Sequence, residues 1–314
     1  MMVLDIELRS KADLLSENYN EIRKSLRWDG ELLNHFEALI YGRTDKEFSL
    51  EKIQEIRRYI KKEKKSEYPF KGNFHKIFSI MLSDSENYKE VFENTRRIYE
   101  NLISRGFNEN EKTAFSALIL SQRFNDTELD KRVDRLIAIK NELGKTDYLS
   151  YANLAATNKD IKVINNEITI VKEKLKEAGL NVGIEAEGFA TALIIENRDI
   201  TEKIEKALNI SCNIKTELFA LPSKAFPLLG LATLLVEDSE AFSKELKEVY
   251  TILKGKKGYK YFMDNELRLI ISLGVLLNKY TEEIKADLID VNLTDEINVL
   301  LALEEYTVFS LASF

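Results

Sequence analysis

Residues 231–242, LATLLVEDSEAF, run from small and aliphatic side chains straight into two acids and a serine, and then resume apolar spacing. A run of small and aliphatic side chains reads as a short helix that others can approach closely. An Asp or Ser directly after it reads as the start of the next helix, because its side-chain oxygen accepts from the free amides of a first turn. The same change recurs in FEALIY, FSIMLSDSENY, FSALILSQRFND, YANLAATNKD, FATALIIENRD and LGVLLNKYTEE. The residues closing these runs are Tyr41, Leu82, Leu120, Thr157, Ile195, Val236 and Leu277, at successive intervals of 41, 38, 37, 38, 41 and 41. A period of that size is the mark of stacked helical hairpins.

Each unit has two halves. The first is a short helix carrying small residues such as Ala114, Ala117, Ala152, Ala155, Ala190, Ala192, Gly230 and Gly274, which let neighbouring helices approach closely. The second is a longer amphipathic helix. Val91, Thr95, Ile98 and Leu102 stand at offsets 0, 4, 7 and 11, one face of a helix. Ile164, Ile168, Val171 and Leu175 repeat the pattern, as do Phe242, Leu246, Val249 and Leu253. In Leu129, Val133 and Leu136 the fourth place is Lys140, so Ile139 and Leu143 take the stripe. Ser85, Asp126, Asp160, Asp199 and Ser239 stand where the long helices should start. Gly106, Gly144 and Gly179 stand where three of them should end, with Phe107 and Leu180 as the apolar contact just beyond. Pro222 and Pro227 mark the start of the helix that holds Leu228.

Energetics forbid an isolated hairpin. Four buried apolar side chains supply at most about 6–12 kcal/mol. Ordering the backbone costs about 1–2 kcal/mol per residue. The difference must come from unit packed on unit. The sequence therefore predicts one all-α domain, an α-solenoid-like stack with HEAT- or TPR-like repeats of 37–41 residues. Residues 1–28 form its N-terminal cap, 29–280 about six to seven hairpins, and 281–314 an acidic C-terminal cap.

Composition narrows the class. Of 314 residues 44% are hydrophobic and 32% charged, which suits a soluble folded chain. The opening MMVLDIELRS carries acids where an export signal needs bases, and the apolar segment INVLLALEEYTVFSLASF is broken by Glu304 and Glu305. A cytoplasmic protein with no membrane span is expected. The single Cys212, in LNISCNI, reads as a small buried residue. The net charge of −7 falls in residues 281–314, which hold eight acids against Lys285, so residues 1–280 balance. A nucleic-acid binder should carry a basic excess, and none is seen.

No catalytic constellation emerges. His35 and His75 lie in different units without further histidine or cysteine ligands, so no metal site is read. Gly144-Lys145-Thr146 resembles the end of a phosphate loop, but the earlier glycine position holds Ile139. Glycines 179, 183 and 188 do not have dinucleotide-binding spacing. No cofactor is expected. The candidate ligand-binding residues are Arg97 and Arg135, at equivalent places in successive long helices, and Lys256, Lys257 and Lys260 in the loop KGKKGYKY. That loop and residues 61–72, KKEKKSEYPFKG, read as the most flexible joints. IRRYIKKEKK, residues 56–65, reads as a charged helix face, and Trp28 as packing of the N-terminal cap.

The order of FSALILSQ, RLIAIKNELGKTDYLSYANLAA and VGIEAEGFATALII resembles a family of bacterial all-helical proteins known only as a domain of unknown function. The resemblance runs from about Leu14 to Leu288. Lys140 fits the family's pattern, whereas residues 143–147, LGKTD, lack its histidine. The resemblance implies a cytoplasmic, all-α protein and transfers no catalytic residue. The functional expectation is a monomeric protein- or peptide-binding scaffold with a concave groove. The alternative is a small-molecule sensor or enzyme with a cavity, which a buried acid of strongly raised pKa would support.

Overall fold

The computed structural model describes residues 4–43, 48–63, 69–83, 85–124, 126–144, 148–179, 185–195, 198–260 and 263–287. These residues are helical with no strand among them. The helices are α1 (Leu4–Ser25), α2 (Glu31–Arg43), α3 (Leu50–Glu63), α4 (Gly72–Ser83), α5 (Tyr88–Ser104), α6 (Glu111–Arg123), α7 (Asp126–Leu143) and α8 (Tyr148–Ala156). They continue with α9 (Ile161–Glu177), α10 (Glu185–Ile195), α11 (Ile200–Glu217), α12 (Phe226–Leu235), α13 (Ser239–Gly255), the short α14 (Lys257–Lys260) and α15 (Asn265–Asp287).

Two kinds of helix alternate. In α8 every residue from Tyr148 to Ala155 is buried, and in α12 all residues from Phe226 to Leu235 are. Such helices have no solvent face and must lie inside. In α9 only Ile164, Ile168, Val171 and Leu175 are buried, and α13 buries Phe242, Leu246, Val249 and Leu253 with Ser243 and Tyr250. These helices lie outside, one stripe inward. Ile139 carries the α7 stripe and Leu143 packs against the core, while Lys140 leaves the stripe and donates to Gly106 O at 2.7 Å.

The inner helices are α2, α4, α6, α8, α10, α12 and α15, each paired with the outer helix before it. Next neighbours also meet: α2 packs on α4, α6 on α8, α8 on α10, α10 on α12 and α12 on α15. Phe74 of α4 meets Phe115 of α6 with ring centroids 4.8 Å apart. The cycle then closes, because α15 packs on α2, and α1 packs on α13, α14 and α15. The two ends of an open array would stand apart; here the first and last hairpins touch. The segment expected to be an N-terminal cap is thus half of a hairpin, and α14 and α15 form its seat. Of the expected acidic cap, residues 288–314 lie outside the described residues.

The joints follow two chemistries. From inner to outer helix, Asp160 and Asp199 cap α9 and α11 as expected, each accepting from two first-turn amides. Two expected caps are corrected. α5 is preceded by Asn87, not Ser85, and α13 is capped by Asp238, one residue before Ser239. The Ser239 hydroxyl instead accepts from the amides of Asn209 and Asn213, which fastens α13 to α11. Asp126 is the first residue of α7. From outer to inner helix five of the turns carry a glycine at positive φ, as at Gly106. There Phe107 N donates to Leu102 O and Gly106 N to Ile103 O, the paired bonds of a Schellman motif, and Phe107 is buried. Gly144 and Gly179 also have positive φ; Leu180 lies outside the described residues.

Carbonyl ends of the inner helices are met by cations of outer helices or of the loop leading into one, where the helix dipole favours positive charge. Arg132 donates to Ala155 O and Thr157 O, Lys159 to Ile194 O, and Lys203 to Leu193 O. This accounts for Lys203 being buried. Cys212 is corrected from buried to exposed: on α11 the buried stripe runs through Ala207, Ile210 and Ile214, and position 212 faces away from it.

Candidate functional site

The expected ligand residues are spread over the fold. Arg97 on α5 reaches Asp130 of α7 at 3.1 Å, both on the surface. Arg135 on α7 donates to Lys159 O, and burial lowers its pKa. Lys256 pairs with Asp13 of α1. Lys257 and Lys260 are exposed on α14, whereas Gly258 and Tyr259 between them are buried. The KGKKGYKY segment is therefore docked: a Cβ on Gly258 would stand 2.2 Å from the Tyr19 ring, and Tyr259 is fully buried. Arg268 holds the backbone of this segment by donating to Tyr259 O and Met263 O.

The structure draws attention instead to the turn between α1 and α2. Ile22 and Leu26 are buried and anchor the end of α1. Leu26 N donates to Ile22 O, Asp29 N to Leu26 O, and Asn34 N to Gly30 O, with Gly30 at φ 104°. The Asp29 carboxylate lies 2.6 Å from Arg57 of α3 and 3.5 Å from Lys76 of α4. Lys76 also donates to Trp28 O at 3.4 Å. Arg57 donates further to Ser79 of α4, and His75 Nε2 donates to Arg57 O at 3.1 Å. Four elements thus fix one short turn.

On this turn Trp28 is 83% exposed, with the Arg27 guanidinium 4.6 Å from its ring centre. The expectation that Trp28 packs the N-terminal cap is corrected. Ile22 and Leu26 occupy the inward positions, and the turn that follows points the indole to solvent.

Beneath the turn lies a charged residue that no motif revealed. Glu37 of α2 is wholly buried, 3.5 Å from Arg57, and neither carboxylate oxygen accepts a hydrogen bond from the described residues. Burial, assisted by the nearby Asp29 charge, pushes its pKa up to about 8 against the pull of Arg57 and Lys76. Two residues earlier His35 is stacked on Tyr19 at 4.0 Å and meets the edge of Tyr259 at 4.6 Å. Burial, with Arg23 nearby, lowers its pKa to about 3, so it is neutral at physiological pH. Tyr19 donates to Glu31, which Arg23 also holds at 2.9 Å. The signal in the sequence was LLNHFEALIY itself, where Asn34, His35 and Glu37 interrupt an otherwise apolar helix.

Among the described residues no group of three or more His, Cys, Asp or Glu is placed to hold a metal ion, and no helix is long and apolar enough to cross a membrane. The class defined here is an all-helical protein whose first and last hairpins pack together, with an exposed tryptophan on the turn between α1 and α2. The chain belongs to a protein family of unknown function, DUF4003, whose model matches residues 18–306. No curated protein and no solved structure matches it.

Proposed function

We propose that this chain is a protein- or peptide-binding module, built from repeated hairpins, that engages its partner at the edge formed by the outer-to-inner turns. The observation that carries this reading is the exposure of Trp28 on a turn locked by Arg57 and Lys76. Leaving a large aromatic ring in water forgoes its burial energy, and Trp and Arg are the residues that most often anchor protein interfaces. A ring on a fixed turn loses little entropy when it is covered. The concave groove expected of an open stack gives way to this edge, since the terminal hairpins meet. A cytoplasmic setting fits the single unpaired cysteine.

The test is comparative capture. Tagged wild-type, Trp28→Ser and Arg27→Glu chains are exposed to lysate of the source cell, and bound proteins are quantified. A partner lost with both variants, at unchanged melting temperature, supports the reading. Partners retained equally by all three chains overturn it.

A second reading, a small-molecule sensor or enzyme, is favoured by Glu37, a buried acid of raised pKa with unfilled acceptor positions. A metabolite thermal-shift screen checks it. A hit that stabilises wild type and not Glu37→Gln supports this reading; no hit removes it.

A further inference from the structure

Resting on the binding reading above, we infer that the Trp28 edge takes an acidic segment of a partner protein, one carboxylate lying beside Arg27 and an apolar side chain on the indole. The inference stands on the local balance of charge. Around the turn, Arg23 and Lys24 are matched by Glu31 and Glu21. What remains is Arg27, Arg57 and Lys76 facing Asp29. Glu37, the other acid of the cluster, is pushed up to about 8 and so is mostly protonated at neutral pH. Three cations face one ionised acid, and the edge carries an excess of two positive charges, although the chain as a whole is at −7. A positive spot on an acidic protein selects acidic partners by charge complementarity. Residues 1–280 balance in charge, so a long polyanion such as RNA finds no basic excess over the body beyond this spot.

The geometry also sets the size of the recognised unit. Arg27 stands over the Trp28 ring and is exposed, so a carboxylate can reach its guanidinium. Lys76 is committed to Asp29 and the Trp28 carbonyl, and acts by its field more than by contact. The site therefore reads one or two acidic positions flanking one apolar residue.

Trp28 is the only tryptophan in the chain, so its emission reports the site directly. The full-length protein is titrated with short synthetic acidic peptides, each bearing one aliphatic or aromatic anchor, with their lysine-for-glutamate counterparts, and with a uridine oligonucleotide. The expected result is a blue shift with acidic peptides only, weakening as salt is added. Labelled-peptide anisotropy should then show about tenfold loss with Arg27→Glu and about thirtyfold loss with Trp28→Ser. A blue shift with the basic peptides or the oligonucleotide instead overturns the acidic assignment. If no acidic peptide moves the emission while Trp28→Ser still loses a captured partner, this inference fails and the binding reading stands. If Trp28→Ser keeps every captured partner, both fall.

Discussion

The joint between α10 and α12 and the seam between the first and last hairpins solve one packing problem with opposite chemistry. At the α10–α12 joint backbones approach through small residues. A Cβ on Gly230 would stand 2.6 Å from the Ala192 Cβ, and one on Gly188 would stand 2.9 Å from Pro227. The buried polar groups there are hydroxyls such as Thr233, which bonds its own helix at Leu229 O. At the seam, rings and charges meet: Tyr19, His35 and Tyr259 form one aromatic cluster, and Lys256 pairs with Asp13 across 243 positions of sequence. α10 and α12 are near in sequence, so their meeting costs little loop entropy and needs only a snug fit. The seam joins the most distant parts of the chain, where many wrong pairings compete. Directional contacts select one pairing, and a half-satisfied polar group penalises the others.

The largest effect is expected beside the seam, where Arg57 of α3 fastens the first hairpin to the second. Arg57→Ala leaves the buried Asp29 carboxylate with Lys76 alone to balance it. Losing one partner of a buried ion pair typically costs about 3–5 kcal/mol. Chemical denaturation should show that loss, and Arg57→Lys should recover only part of it because a lysine lacks the forked guanidinium. A cost below 1 kcal/mol, roughly that of a surface pair, would mean the cluster is not a structural lock.

The two crowded glycines sharpen the contrast by location. Gly230→Ala and Gly258→Ala each force a methyl into occupied space, against Ala192 and Phe189 O in one case and the Tyr19 ring in the other. Each should cost about 1–3 kcal/mol. Their hydrogen-exchange patterns should differ. Gly258→Ala should speed exchange in α1 and α13–α15, the helices of the seam, and spare α10 and α12. Gly230→Ala should do the reverse. Identical global acceleration in both variants would show that the two regions open as one unit.

Protonation sharpens it differently, because both titrating groups lie on α2. Glu37 has a folded pKa of about 8, above its ordinary 4.5. Its stabilising contribution is complete below about 4.5 and is lost as pH rises through 8. His35 has a folded pKa of about 3, below its ordinary 6.5. Its contribution is complete above about 6.5 and is lost as pH falls through 3. Between 4.5 and 6.5 the Glu37 slope opposes that of His35 and of His75, whose pKa burial also lowers, so the pH dependence is reduced there. From pH 6.5 to 8 the Glu37 slope acts alone and removes about 2 kcal/mol. Glu37→Gln should abolish the alkaline decline and leave the acid one. His35→Phe should weaken the acid decline, of which His75 keeps a share, and leave the alkaline one. A Glu37→Gln profile parallel to wild type between pH 6.5 and 8 would refute a protonated Glu37.

Sequence periodicity reveals which face of a helix is buried, and not what covers it. It placed the α9 stripe of Ile164, Ile168, Val171 and Leu175 correctly, and it put Lys140 off the α7 stripe. It could not pair Tyr19 with Tyr259, because nothing in either local pattern refers to the other. Hence a stack with a separate cap at each end was expected and the meeting of first and last hairpins was not. Composition misled at two single residues. Cys212 lies in apolar surroundings but at the wrong helical phase, and Trp28 is apolar but follows the last inward position of α1. The polar residues of α2 were visible as an interruption, yet Asn34, His35 and Glu37 acquire meaning only beside Arg57 and Tyr259, which other helices supply.

The smallest expected effect tests whether the joints are independent of the seam. Asp160 accepts from Lys162 N and Val163 N, and Asp199 from Thr201 N and Glu202 N, both at exposed helix starts. Replacing either by Ala frees two amides that water can reach, so the cost should be about 1 kcal/mol. Asp→Asn should lose less, since the side-chain oxygen remains and only the favourable charge at the helix N-terminus is removed. The two caps serve α9 and α11, outer helices on either side of α10. If the joints are local, the double variant should cost the sum of the singles within about 0.5 kcal/mol, and Gly258→Ala should add to either in the same way. A larger, cooperative loss would mean that strain at one joint travels round the closed cycle to the seam. The protein would then behave as a tensioned ring, and a partner held at the Trp28 turn would be able to feel a change made at α9.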